Sequence, residues 1–170
     1  VYPEWMVCTA LFDEKGEPEY YISVFNDLSE VKFKDAQIEL RSNYDVLTGL
    51  PNKETFRARL VEEIRRAGDA RRFALLVFDI NRFKNVNDTL GHFIGDALLK
   101  RVGAFLAECA GEASTVSRIG GDDFHILLPE ARTPEEIAAR VKKLRACLRE
   151  PMEVEGYKLF VSASIGISVY

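Results

Sequence analysis

Three aspartates and two adjacent glycines carry the first chemical signal in this chain. Gly120-Gly121-Asp122-Asp123 stands between two short apolar runs, Thr115 to Ile119 and Phe124 to Leu128, and so reads as a hairpin turn with carboxylates at its tip. Asp79 lies at the end of a continuous apolar run from Phe73 to Ile80, as expected of a central strand covered on both faces. If the run ending at Asp79 and the run beginning at Phe124 are antiparallel neighbours, Asp79 faces the turn across a sheet edge. Carboxylates gathered there repel unless protonated or bound to a cation, and hard oxygen ligands suit Mg²⁺. A pair of such ions can activate an attacking hydroxyl and neutralise charge on a phosphate and its leaving group. The glycines permit a tight turn and close approach of a ligand. The same turn can equally be a surface hairpin with solvated aspartates, because Gly-Asp turns are common.

The elements that must position these groups follow in a readable order. Asn52 can cap a helix through Ala67 with Phe56, Leu60, Val61 and Ile64 on one face. Ile94 to Ala110 returns to helical spacing, Pro134 starts a helix through Leu148 that Pro151 ends, and Tyr157 to Tyr170 follows the Glu155-Gly156 turn as a final strand. The order strand, helix, strand, strand, helix, strand is the split βαβ pattern of a ferredoxin-like α+β fold. Ahead of it, Met6 to Phe12 and Tyr20 to Phe25 read as two strands about a turn-forming Asp13 to Pro18. Two strands cannot bury a core alone. From Ser29 to Asn43 the composition is helix-forming, with Ser29 a candidate N-cap, and a connecting helix is expected.

Composition narrows the class. The chain has 170 residues, 47% apolar and 29% charged, enough for one sizeable core with an appended segment. A formal charge of −4 argues against non-specific nucleic-acid binding and favours a metal-masked nucleotide as the anionic partner. No run approaches the roughly 20 apolar residues that span a bilayer, so the cytoplasm, or the cytoplasmic side of a membrane-anchored parent, is the expected compartment. Cys8, Cys109 and Cys147 fit neither a disulfide framework nor a zinc site; Cys109 and Cys147 are expected as small buried side chains.

Several motifs together resemble the GGDEF family of nucleotidyl cyclases. Asp45 to Asn52 (DVLTGLPN), Phe78 to Lys84 (FDINRFK), Asn87 to Asp96 (NDTLGHFIGD), Arg118 to Phe124 (RIGGDDF) and Ala163 to Ser168 (ASIGIS) stand in that family's order and spacing. The resemblance covers residues 44–170 and implies a nucleotidyl-cyclase palm, βαββαβ, whose active members join two GTP molecules into cyclic di-GMP with release of pyrophosphate. It implies a homodimer in which each copy presents one GTP, and Mg²⁺ or Mn²⁺, two ions per site. By position, Asp79, Asp122 and Asp123 match the metal-binding and catalytic carboxylates, with the carbonyl of Ile80 as a further ligand. Asn87 and Asp96 match the guanine-reading pair, Arg82, Phe83 and Lys84 the phosphate-holding loop, and Leu47 an apolar residue near the base. Residues 1–28 are similar to the C-terminal end of a PAS sensor domain, with 29–43 as the linker helix.

Each residue also has a plainer reading. Asn87 can cap a short helix, Asp96 can favour the positive end of its own helix, and Lys84 can be a solvated charge. His92 is expected to pack or hydrogen-bond in the Gly91-His92 turn, and His125 to be a strand residue. Arg118 is expected to be structural, paired with Asp45 within about 6 Å.

Three departures from the family pattern bear on activity. Asp123 replaces the usual Glu and reaches about 1.5 Å less, where misplacement on the order of 1 Å can cost about a hundredfold in rate. Asn81 stands where Asp is common. Gly111 and Ser114 occupy the positions of an Arg-x-x-Asp product site and supply neither guanidinium nor carboxylate, so product inhibition through that site is not expected. The leading expectation is a diguanylate cyclase domain under an upstream sensor. A GTP-binding regulatory domain of a GGDEF-EAL phosphodiesterase is the alternative, and a dimerisation scaffold leaves Asp79, Asn87 and Asp96 unaccounted for.

Overall fold

The computed structural model describes residues 4–13, 15–27, 42–68, 72–129, 133–148 and 150–170. The chain divides into two compact units, Val1–Arg41 and Ser42–Tyr170. In the first, β1 (Glu4–Phe12) and β2 (Pro18–Asp27) form an antiparallel hairpin. The Asp13 carboxylate closes its turn by accepting from the backbone N–H of Lys15 and of Glu17, each at 2.8 Å. Met6, Tyr20, Tyr21 and Val24 remain exposed on this ribbon. The connecting helix expected over residues 29–43 lies outside the described residues except at 42 and 43, which are helical.

In the second unit α1 (Lys53–Ala67) begins where the sequence placed it, the Asn52 side chain accepting from the Thr55 N–H at 3.0 Å. There follow β3 (Ala74–Ile80), α2 (Phe83–Leu90), α3 (His92–Ala110), β4 (Thr115–Gly120) and β5 (Asp123–Leu128). The unit ends with α4 (Pro134–Cys147), β6 (Met152–Val154), β7 (Tyr157–Leu159) and β8 (Ala163–Val169). β3, β4, β5 and β8 form an antiparallel sheet in the order β4-β5-β3-β8, the ferredoxin-like arrangement. Thr133 starts α4 through a reciprocal capping box with Glu136, and Pro134 occupies the first turn.

The main core lies on one face of this sheet. Leu76 and Phe78 of β3, Leu98, Val102 and Leu106 of α3, and Leu144 of α4 are fully or almost fully buried. Burial of each such side chain is worth about 1.5–3 kcal/mol. A smaller cluster of Phe56, Ala67, Phe73 and Leu127 fastens α1 to the opposite face.

Four expectations are corrected here. β3 is not covered on both faces: Leu75 is half-buried, while Val77 and Asp79 are exposed, because α1 reaches only the Phe73 end of its second face. Val61 and Ile64 of α1 are exposed for the same reason, leaving Phe56, Leu60 and Ala67 to make the contact. The final strand is broken into β7, which pairs with β6, and β8, which pairs with β3. A tight turn with φ of 47° at Glu155 and 82° at Gly156 folds β7 back onto β6. Cys109 is half-buried against the core, not enclosed by it, and the Cys147 side chain lies outside the described residues.

Candidate active site

The sheet register decides which carboxylates meet. β3 and β5 run antiparallel with Asp79 directly opposite Asp123, and β4 pairs Gly120 with Asp123, leaving Gly121 and Asp122 at the turn. Cross-strand partners on one face hold their Cβ atoms about 4.5–5.5 Å apart. Gly121 adopts φ of 53°, a left-handed conformation that glycine takes without strain. The hairpin expected from Gly120-Gly121-Asp122-Asp123 therefore forms, and it places Asp79 beside Asp123.

Arg118 braces this turn. Its Nε and Nη2 donate to the Gly121 carbonyl at 3.0 and 2.8 Å, and its Nη1 donates to both Asp45 oxygens at 2.9 and 3.1 Å. The ion pair expected between Arg118 and Asp45 is thus present, and the guanidinium reaches the signature turn as well. The Thr48 N–H and hydroxyl also donate to Asp45 Oδ1, at 2.9 and 2.7 Å. Burial pushes the Asp45 carboxyl up, but these bonds and the Arg118 charge outweigh it and hold the group below its ordinary value of 3.8. The loop that carries Leu47 is fixed from a second side, where Leu50 and Thr48 lie over Gly103 of α3. Leu47 itself is half-buried and packs against the main core.

After β3 the chain turns at Asn81 and Arg82. Arg82 holds φ of 60° and ψ of 27°, left-handed geometry that costs a non-glycine residue about 1–2 kcal/mol, and it is the N-cap of α2. Such a turn ahead of a helix exposes successive N–H groups that suit an anion. Asn81 anchors the turn to the start of β8. Its N–H donates to the Ser162 carbonyl at 2.9 Å, its Nδ2 to Ser162 Oγ at 3.2 Å, and its Oδ1 accepts from Ser164 Oγ at 2.7 Å. Ser162 and Ser164 were missed in the sequence because this contact depends on β8 lying beside β3. Lys84 is exposed next to the turn, and Phe83 is half-buried against the core.

The two residues matched to guanine recognition come from α2 and α3. Asn87 lies inside α2, not at a cap, and its Oδ1 is buried without a hydrogen-bond partner. An acceptor left unmade costs about 1–3 kcal/mol, which a ligand N–H group at this place can recover. Asp96 is exposed on α3, beyond the helix's first turn, so the helix dipole offers it little. His92 is exposed at the start of α3, so of its two expected roles, packing or hydrogen bonding in the Gly91-His92 turn, the packed one does not hold. His125 is a strand residue, as expected, meeting Phe56 edge-on at 5.1 Å between ring centroids. Burial lowers its pKa below 6.5, partly offset by the Asp123 charge.

The donor set fits a hard divalent cation only in part. Among the described residues, no three Asp, Glu, His or Cys side chains converge to hold a metal by themselves. Asp122 stands at the turn tip, off the paired register that brings Asp79 and Asp123 together. Two facing carboxylates without side-chain hydrogen bonds or ion pairs still suit Mg²⁺, which commonly takes one or two carboxylates and completes its shell with waters and substrate phosphates. Ile80, whose carbonyl is the further expected ligand, is the last residue of β3.

This α+β unit, an antiparallel sheet with carboxylates facing each other at one end, has the architecture of the nucleotidyl-cyclase palm seen in solved GGDEF domains. More narrowly, the chain belongs to the GGDEF family, since the profile described as "Diguanylate cyclase, GGDEF domain" matches residues 42–170. The bifunctional diguanylate cyclase/cyclic di-GMP phosphodiesterase MucR of Pseudomonas aeruginosa is 41% identical over 128 residues, 75% of this chain and 18% of that protein. The cyclic di-GMP phosphodiesterase NbdA of the same organism is 30% identical over 144 residues, 84% of this chain and 18% of that protein. The chain thus spans less than a fifth of either relative. The crystal structure of the GGDEF domain of TpbB (YfiN) from Pseudomonas aeruginosa superposes with a TM-score of 0.70 at 32% identity, covering 72% of this chain and 78% of that one.

Proposed function

We propose that residues 44–170 form a diguanylate cyclase domain that condenses two GTP molecules into cyclic di-GMP, with two copies facing each other and an upstream sensor controlling their approach. The observation that carries this reading is the pairing of Asp79 with Asp123 across β3 and β5, beside the strained Arg82 turn. When bound, Mg²⁺ or Mn²⁺ neutralises phosphate charge and lowers the pKa of the attacking hydroxyl. Asp79, Asp123 and the Ile80 carbonyl, with Asp122 at the turn tip, would hold it. The N–H groups following Arg82, with Lys84, hold the phosphates in place. Asn87 and Asp96 read the guanine edge, an amide and a carboxylate together supplying the donors and acceptors that distinguish it from adenine. Leu47 packs against the base. Asp123 receives the proton of the 3′-hydroxyl as it attacks the α-phosphate of the GTP on the facing copy, and pyrophosphate leaves.

A second reading is favoured by one specific observation. Asp123 is shorter than the usual Glu, and among the described residues no group of three acidic, His or Cys side chains gathers to hold a metal. In that reading the domain binds GTP and regulates a linked EAL phosphodiesterase without turning GTP over. Incubation with GTP and Mg²⁺, measuring bound nucleotide and cyclic di-GMP in parallel, separates the two. Product formation supports the cyclase, and saturable GTP binding without product supports the regulatory domain.

A further inference from the structure

Gly95 is buried at the end of the first turn of α3, where nothing in the backbone calls for glycine. A glycine inside a helix costs about 1 kcal/mol relative to alanine, so its presence asks for a steric reason. The reason is Asn87. A Cβ built on Gly95 would lie 1.8 Å from Asn87 Oδ1, 3.0 Å from its Cγ and 3.3 Å from Phe83 Cζ. The first distance is far too short for atoms that are not bonded to each other, so the Asn87 carboxamide as placed and a side chain at residue 95 cannot share this space. Elsewhere on α3, the tightest contact a Cβ on Gly103 would make is with a terminal methyl of Leu50 at 3.0 Å, which a rotamer change can relieve.

We propose that Gly95 is a positioning residue for base selection: its missing side chain is the space that holds the Asn87 carboxamide against α3, beside Asp96, so that the two groups present one rigid edge to a guanine. The inference rests on the GTP reading of the site and adds to it the cause of the amide's fixed orientation. Asn87 Oδ1 has no protein donor holding it, so the walls around it set its position. Gly95 is one of those walls. With alanine at Gly95 the amide must swing out of α3, and the acceptor and donor that the base needs are displaced together.

The test is a double-mutant cycle on the full 170-residue chain with Gly95→Ala, Asn87→Ala and both. Affinities for GTP, ITP and ATP are read with Mg²⁺, and thermal unfolding is read without nucleotide. Gly95→Ala is expected to lower GTP affinity and the preference for GTP over ATP about 10- to 100-fold, matching Asn87→Ala, with the double variant no worse than either. In the melts Asn87→Ala is expected to recover the stability that Gly95→Ala loses. Undiminished GTP preference in Gly95→Ala, or losses that add in the double variant, overturns the positioning role. A wild-type chain that binds none of the three nucleotides overturns the GTP reading and the base-selection role with it. Melts that show no coupling between Gly95 and Asn87 refute the steric lock whatever the nucleotide result.

Discussion

Asp123 sets the catalytic question at the scale of one side chain. It pairs with Asp79 across the sheet, and it is one methylene shorter than glutamate, so its carboxylate reaches less far. Asp123→Glu is expected to raise the rate of cyclic di-GMP formation about tenfold or more while changing GTP affinity little. An unchanged rate would show that chain length at this position does not limit turnover. Asp79, Asp122, Asn87 and Asp96 stand out in the sequence as matches to metal and base positions because each belongs to a motif with fixed spacing. What they do locally does not. Asn87 reads as an N-cap from the sequence, yet it sits inside α2 with its oxygen against Gly95, a contact set by how α2 crosses α3. The anchoring of Asn81 by Ser162 and Ser164 likewise depends on strand order, which no local pattern records.

The elements hold these side chains through a few identifiable bonds. Arg118 joins the loop before α1 to the signature turn, and both partners are mostly buried. Arg118→Ala leaves Asp45 without its cation and is expected to destabilise the second unit by about 1–3 kcal/mol in chemical denaturation. The pH dependence has two parts of known sign. Asp45 is held below 3.8, so its contribution is fully present above that value and is lost as pH falls through the lower folded value. His125 is held below 6.5, so its neutral form stabilises the fold above that pH, and this contribution is lost as acidification carries it through its folded value. Denaturation midpoints followed from pH 8 to 3 should flatten near the upper step in His125→Gln and near the lower step in Asp45→Asn. Thr133→Ala removes the capping box of α4 and should cost about 1 kcal/mol. Helix starts such as Asn52 and Thr133-Pro134 were legible because capping is local chemistry. The exposure of Val61, Ile64 and Val77 was not, since helical or strand periodicity marks an apolar face without saying how far a neighbour extends over it.

At the scale of the molecule, each unit has its own character. Residues 42–170 own a continuous core and match the GGDEF family, whereas the β1–β2 ribbon leaves Met6, Tyr20 and Tyr21 exposed and contributes no core residue among the described ones. If catalysis needs two facing copies, the specific rate of product formation should rise with protein concentration before levelling. A specific rate independent of concentration down to the lowest measurable level would count against dissociable pairing. Gly111 ends α3 with φ of 86°, and the Ser114 hydroxyl donates to the Ala110 carbonyl at 2.9 Å, so the positions of the product site are given over to closing a helix. Added cyclic di-GMP is therefore expected to leave initial rates unchanged. The central claim is that the carboxylates paired across β3 and β5 create a metal-dependent GTP site. Calorimetric titration of GTP into the wild-type chain and into Asp79→Asn, each with and without Mg²⁺, tests it most directly. The wild type is expected to bind GTP at least about tenfold more tightly with Mg²⁺, equivalent to about 1.4 kcal/mol, and Asp79→Asn to lose that gain. Equal affinity with and without the ion, or a full Mg²⁺ effect in Asp79→Asn, would contradict the account.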